Sequence, residues 1–205
     1  MITPLMKTLS NRAIATAALL LMLPIYAAGQ SAAPSPRLFE VELVVFRNNL
    51  AYLEGEELWT NDTVDTKLPG MAEAIDAPEE PDSDSALSKA VLTLEADANY
   101  NILVHKRWLM LAEPKSAAQR LYFHSVGTAT VELEGVLRFY QSRYLHVDVD
   151  LLLREAATRR VASADSSAPG IRIYRISARR RIRSGHVNYF DHPKFGALVR
   201  VAPLE

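Results

Sequence analysis

From Phe39 to Phe46 the chain alternates in hydrophobicity. Phe39, Val41, Leu43 and Val45 share one parity, and Glu40 and Glu42 begin the other. A period of two marks a strand with one buried face. Arg47-Asn48-Asn49 ends it. Residues 61–85 are rich in Pro, Asp, Glu and Ser and show little periodicity, which predicts a long acidic loop, disordered in part. Ser85 to Ser88 opens a helix. Leu87, Ala90, Val91, Leu94 and Ala98 follow helical spacing on one face, and Asn99 is its stop. Tyr100 to Leu111 returns to period two, with Ile102, Val104, Lys106, Trp108 and Met110 on one side.

Pro114 to Ala118 reads as a loop and Leu121 to His124 as a short edge strand. Two long strands follow, Thr128 to Tyr140 and Tyr144 to Arg154, joined by a turn at Gln141-Ser142-Arg143. Gly135, inside the first, predicts a bulge or bend. In the second, Leu145, Val147, Val149, Leu151 and Leu153 oppose Tyr144, His146, Asp148 and Asp150, so this hairpin has one buried and one polar face. A small-residue and polar loop, Ala156 to Gly170, precedes a strand from Ile171 to Ile182. Gly185 ends that strand, Tyr189 to Pro193 reads as a compact turn, and Phe195 to Val201 is the closing strand. No repeat of the length that solenoids use is visible. The pattern predicts an α+β fold: a single domain over residues 38–205, with an antiparallel-rich sheet of about six strands and one clear helix.

The first residues follow another logic. Lys7 and Arg12 precede Ala13 to Leu23, a run that is apolar except for Thr16; Pro24 and then Ala27-Ala28-Gly29 follow. That order is the three-part pattern of a Sec-type signal peptide, expected over residues 1–29. The run is shorter than the roughly 20 apolar residues a bilayer span takes, so no stable membrane span is expected after cleavage. Residues 30–37 read as an extended linker. The chain has no cysteine, which rules out disulfides, thiolate zinc sites and a lipoprotein anchor. A periplasmic location fits these features.

Charge is balanced overall, 23 basic residues against 24 acidic, but segregated along the chain. Thirteen carboxylates and two lysines lie between Glu54 and Asp97; eight basic and two acidic residues lie from Ile171 onward. The basic part holds Arg179-Arg180-Arg181-Ile182-Arg183 and, just after it, Tyr189, Asp191 and His192. Guanidinium groups bind carboxylates and phosphates through paired hydrogen bonds. Tyr and His add stacking surface with polar tips. On a strand Arg179, Arg181 and Arg183 share one side and Arg180 takes the other. Arg143, Tyr144 and His146 on the preceding hairpin, and Trp108, complete the candidate ligand-binding residues. The bland reading pairs these arginines with Asp148 and Asp150 on a neighbouring strand, and packs Tyr189, His192 and Trp108 into the core. Near-neutral net charge and export disfavour nucleic acid as a ligand.

His146, Asp148 and Asp150 also project together, which permits a metal site or a carboxylate pair, but any solvent-facing strand produces that spacing. Neither a Gly-x-Ser-x-Gly nor a His-Glu-x-x-His motif occurs. The residues therefore favour a binding module that needs neither metal nor other cofactor. A hydrolase or transferase using His146, Asp148 and Asp150, and an adaptor for another protein, stay open as alternatives.

Four blocks carry a family resemblance: Val41 to Asn48; Tyr100 to His105 with Trp108; Arg143 to Leu151; and Arg179 to Ser184 continuing through Asp191-His192-Pro193-Lys194-Phe195-Gly196. In this order they resemble the peptidoglycan-binding CsiV family of gammaproteobacterial envelope proteins. The resemblance implies a periplasmic protein that binds peptidoglycan and supports wall synthesis and cell shape, with no known catalytic residues; the alternatives then become a wall hydrolase or transferase using His146, Asp148 and Asp150, and an adaptor for a wall synthase or its activator. The chain departs from the family's pattern at His186 and Asn188, where a Glu and a His usually stand, which weakens any acid–base or metal role for those positions.

Overall fold

The strand-forming alternation assembles into two sheets. The computed structural model describes residues 37–50, 67–77, 85–126, 131–156 and 171–204. Among them are nine strands, one α-helix and one 3-10 turn. The strands are β1 (Leu38–Asn48), β2 (Ala74–Asp76), β3 (Tyr100–Leu111), β4 (Arg120–Val126), β5 (Val131–Gln141), β6 (Leu145–Ala156), β7 (Ile171–Ile182), β8 (Val187–His192) and β9 (Phe195–Pro203); the helix is α1 (Ser88–Glu95). Sheet A has the order β3-β1-β9-β8 and sheet B the order β2-β4-β5-β6-β7. All pairings are antiparallel except that of β2 with β4.

One buried cluster joins the two sheets. Val41, Leu43 and Val45 of β1 and Ala197, Val199 and Val201 of β9 pack with Leu133 and Leu137 of β5 and Val149, Leu151 and Leu153 of β6. These are the apolar parities of their strands, so the alternation that makes each strand also builds the sandwich. Burying each Val or Leu side chain of this set contributes about 1.5–3 kcal/mol. The outer faces are partly covered. Leu87 and Val91 at α1 pack on Val44 of sheet A, and Leu68 packs on Val136 and Leu152 of sheet B.

The antiparallel predominance and the single helix agree with the sequence reading; the strand count and the division into two sheets do not. β2 and the 3-10 turn Met71–Glu73 lie within the expected acidic loop. Residues 187–192 form a strand, and the turn is confined to Pro193-Lys194. Gly135 makes no bulge: it pairs in regular register with Phe123 and Leu151. Its lack of a side chain serves close approach instead. A Cβ there would stand 2.7 Å from Leu151 Cδ2 and press into the Phe123 ring. The register shift falls in β1, between Val45 and Phe46. The expected signal peptide over residues 1–29, nearly all of the expected linker, and residues 61–66 and 78–84 of the expected acidic loop lie outside the described residues.

Candidate functional site: a basic face on the five-stranded sheet

Register across β5, β6 and β7 brings three rows of mostly polar side chains onto the outer face of sheet B. Tyr140, His146 and Arg181 form one row; Arg138, Asp148 and Arg179 the next; Val136, Asp150 and Ser177 the third. Their parity is opposite to that of the core residues between them. Asp148 sits between two guanidiniums, with Arg138 Nη2 donating to Oδ2 at 2.6 Å and Arg179 Nε to Oδ1 at 3.0 Å. Asp150 accepts two parallel bonds from Arg175, at 2.8 and 2.7 Å, and a third from Ser177 Oγ at 3.2 Å. The pairing of Arg179 with Asp148 is thus present. Asp150 belongs to Arg175 and Ser177.

This wiring limits the chemistry of both carboxylates. Burial alone would raise the Asp148 pKa, but hydrogen bonds and charge from Arg138 and Arg179 outweigh it and hold the carboxyl below its ordinary value. Such a group does not store a proton near neutrality. Among the described residues no three His, Asp or Glu side chains are grouped to hold a metal ion. A depressed folded-state pKa stabilises the fold above the unfolded value, and this contribution is lost as pH falls through the folded one. The stability gap between wild type and Asp148→Asn is therefore expected to narrow on acidification below about pH 3.9, the ordinary aspartate value. Urea midpoints across the acid range measure it; parallel pH profiles for the two proteins would refute the assignment.

The β5–β6 turn end of this face is different. Tyr144 is 44% exposed, and the guanidiniums of Arg181 and Arg143 lie over its ring at 4.5 and 5.5 Å. Among the described residues neither arginine has a carboxylate partner. Beside them His146 stacks on Tyr140, with ring centroids 5.1 Å apart and planes within 8°. Lys115 and Arg138 also lie over the Tyr140 ring. Burial first, and then the Asp148 charge, raises the Tyr140 phenol pKa, so it stays a neutral donor. Arg183 is exposed one residue beyond β7. Arg180 takes the opposite side of β7 from Arg179 and Arg181. It donates to the Tyr189 carbonyl at 2.6 Å and lies over the Phe190 ring.

The other sequence candidates lie elsewhere. Tyr189 and Asp191 are on β8 of sheet A, where the Tyr189 hydroxyl donates to Asp191 Oδ1 at 2.7 Å and the ring stacks on Phe46. Burial and then Asp191 push the Tyr189 pKa up to about 12. His192 has the other parity and is buried against Tyr174 and Phe195. Its Nδ1 accepts the Lys194 N–H at 3.0 Å, and burial holds its pKa low, so it is a neutral packed imidazole. Trp108 is 1% exposed and packs on Phe123 in the core. Neither ring presents a face to a ligand, which corrects the grouping of Trp108 and His192 with the surface arginines. Asn188 donates to the His186 carbonyl at 3.1 Å and lies away from the basic face, on β8.

Periodicity alone did not find Arg120, Arg138, Tyr140, Arg175 and Ser177, because their place on this face depends on strand pairing, nor Lys115, which reaches Tyr140 from the β3–β4 loop. It also missed a cluster on sheet A. Glu42, fully buried, accepts hydrogen bonds from Ser85 Oγ and from the Leu87 N–H, and its Oε1 lies 2.8 Å from His105 Nε2. Ser85 Oγ and Glu42 meet the same imidazole nitrogen. A serine nucleophile relay needs the histidine to bridge with its two nitrogens, so this geometry is that of a buried polar anchor.

Comparison with known proteins gives one family. The model described as "Peptidoglycan-binding protein, CsiV" matches residues 73–204, a span that contains the whole basic face. Among curated proteins and among solved structures nothing matches. No helix among the described residues is long and apolar enough to cross a membrane.

Proposed function

The chain belongs to the CsiV family of peptidoglycan-binding proteins, and on that premise we propose that it is a non-catalytic periplasmic protein that holds peptidoglycan on the basic face of sheet B and so supports wall synthesis and cell shape. The observation that carries this reading is the exposed Arg143–Tyr144–Arg181 group, whose guanidiniums have no carboxylate partner among the described residues. Arginine donors without an internal acceptor match the carboxylates of stem peptides through charge-assisted hydrogen bonds. Arg179, held to Asp148 by a single bond and 59% exposed in its side chain, extends the same surface. The signal-peptide pattern of residues 1–29 supports export. A binding role in place of catalysis is supported by the full engagement of Asp148 and Asp150 with arginine.

Purified sacculi are expected to retain the protein in a sedimentation assay. Retention should fall as salt is raised from about 0.1 to about 1 M, where the screening length shrinks from about 10 to about 3 Å. Replacing Arg143 and Arg181 together by glutamine removes charge-assisted bonds of about 1.5–3 kcal/mol each, so retention should drop at least about tenfold. Unchanged retention in a variant with a native circular dichroism spectrum would sink the assignment. Release of soluble muropeptides from sacculi would instead favour a hydrolase.

A further inference from the structure

We propose that the cleft beside this face is a carboxylate seat, which selects a free carboxylate on a small aliphatic residue of the stem peptide over the sugar chain; the proposal rests on the peptidoglycan reading above. A cavity of about 310 Å³ opens on sheet B beside the Pro69–Gly70 turn. Arg120 from β4, Arg138 from β5 and Arg179 from β7 all line it, together with Ser177. Three strands thus contribute one guanidinium each to a single concave site, a feature that strand sequences read separately do not show.

The donors in this cleft exceed the acceptors. Arg138 Nε is buried and has no hydrogen-bond partner, and a guanidinium carries five N–H donors. Arg179 spends only its Nε on Asp148. Arg120 pairs with Glu73, whose side chain is 69% exposed at 2.5 Å, a solvent-screened partner of the weak kind. Asp148 and Asp150 also line the cavity, but their oxygens are taken by Arg138, Arg179, Arg175 and Ser177. An entering cation therefore meets neutralised acids, whereas an entering anion meets spare N–H groups. The room for Arg120 comes from Gly70, where a Cβ would stand 2.6 Å from the Arg120 Nε.

Carboxylate fits better than the alternatives. Two parallel N–H donors match its planar oxygens, and Val136 and Pro69 give the cavity an apolar side that suits an aliphatic substituent better than a hydrated phosphate. A sugar ring stacks on an open aromatic face, and among the described residues no aromatic side chain lines this cavity.

The test is an NMR titration of the protein with N-acetyl-D-alanyl-D-alanine, with its C-terminal amide and with inorganic phosphate. The acid should shift the Arg138, Ser177 and Arg179 resonances saturably, the amide should not, and phosphate should bind more weakly. Arg179→Gln should raise the Kd for the acid about tenfold, the loss of one charge-assisted pair. It leaves Asp148 paired with Arg138, so the sheet is kept. Equal binding of acid and amide, tighter binding of phosphate, or no response to the acid would overturn the proposal. Sacculus retention without a response to the dipeptide overturns the seat and leaves the peptidoglycan reading intact. A dipeptide response without sacculus retention does the reverse.

Discussion

Trp108→Ala is expected to lose a large share of the fold's stability while remaining folded enough at room temperature to show an unfolding transition. The indole is 1% exposed, lies opposite Val41 in the β1–β3 pairing and packs on Phe123 of sheet B at a centroid distance of 5.9 Å. It therefore spans the two sheets, and its removal leaves a cavity that both sheets line. Truncating a buried Trp or Phe to Ala costs about 3–5 kcal/mol, and a domain's total stability is only about 5–15 kcal/mol. The urea midpoint should fall steeply with little change in slope. Trp108→Phe keeps most of the contact area and should lose far less. If Trp108→Ala instead kept the wild-type midpoint and lost sacculus retention, the indole would belong to the ligand surface and not to the core.

The same residue shows what could be read from the chain. Trp108 shares its parity with Val104 and Met110 but also with Lys106, so alternation left its ring open to either the core or a ligand, and the pairing of β3 with β1 decided for the core. β3 and β7 emerged with the ends expected for them, because twelve residues of period two leave no other reading. β8 did not. It has six residues, and its Asp-His-Pro ending carries turn chemistry, so Tyr189, Asp191 and His192 looked like one loop. In a strand, parity separates them: Tyr189 and Asp191 go to the outer face, and His192 goes to the core. β2 has three residues and pairs in parallel with β4, which gives periodicity nothing to act on. The site was legible to the same extent. Arg179 and Asp148 lie on strands with clear outer faces, so their pairing was an obvious candidate. Arg138 and Arg175 join them only through register, and register is a property of two strands, not of one. The division into two sheets was hidden for the same reason, since alternation assigns faces without assigning partners.

Glu42→Ala should be comparably destabilising, for an electrostatic reason. Glu42 is fully buried on the face of sheet A that α1 covers. Its carboxylate takes the Ser85 hydroxyl, the Leu87 N–H at 3.2 Å and His105 Nε2 at 2.8 Å. Leu87 is the N-cap of α1 and has no side-chain cap, so Glu42 reaches from β1 to do the work of one. Alanine removes the buried acceptor that these groups share and leaves the Leu87 N–H only Ser85 Oγ, at 3.2 Å. Leaving a buried donor without its acceptor costs about 1–3 kcal/mol, and Glu42 serves more than one donor. Glu42→Gln preserves volume and one acceptor, and should cost less. Glu42→Leu combined with His105→Leu removes both partners, and should recover part of the loss in a double-mutant cycle. A Glu42→Ala midpoint close to wild type would mean that Ser85 and His105 find other partners and that the cluster is not the anchor of α1. Because Glu42 and the arginines occupy different sheets, sacculus retention per folded molecule should be unchanged in Glu42→Ala at low temperature. Arg143→Gln with Arg181→Gln should show the opposite profile, with retention lost and the urea midpoint kept. The two variants together separate what holds the sandwich from what holds the wall.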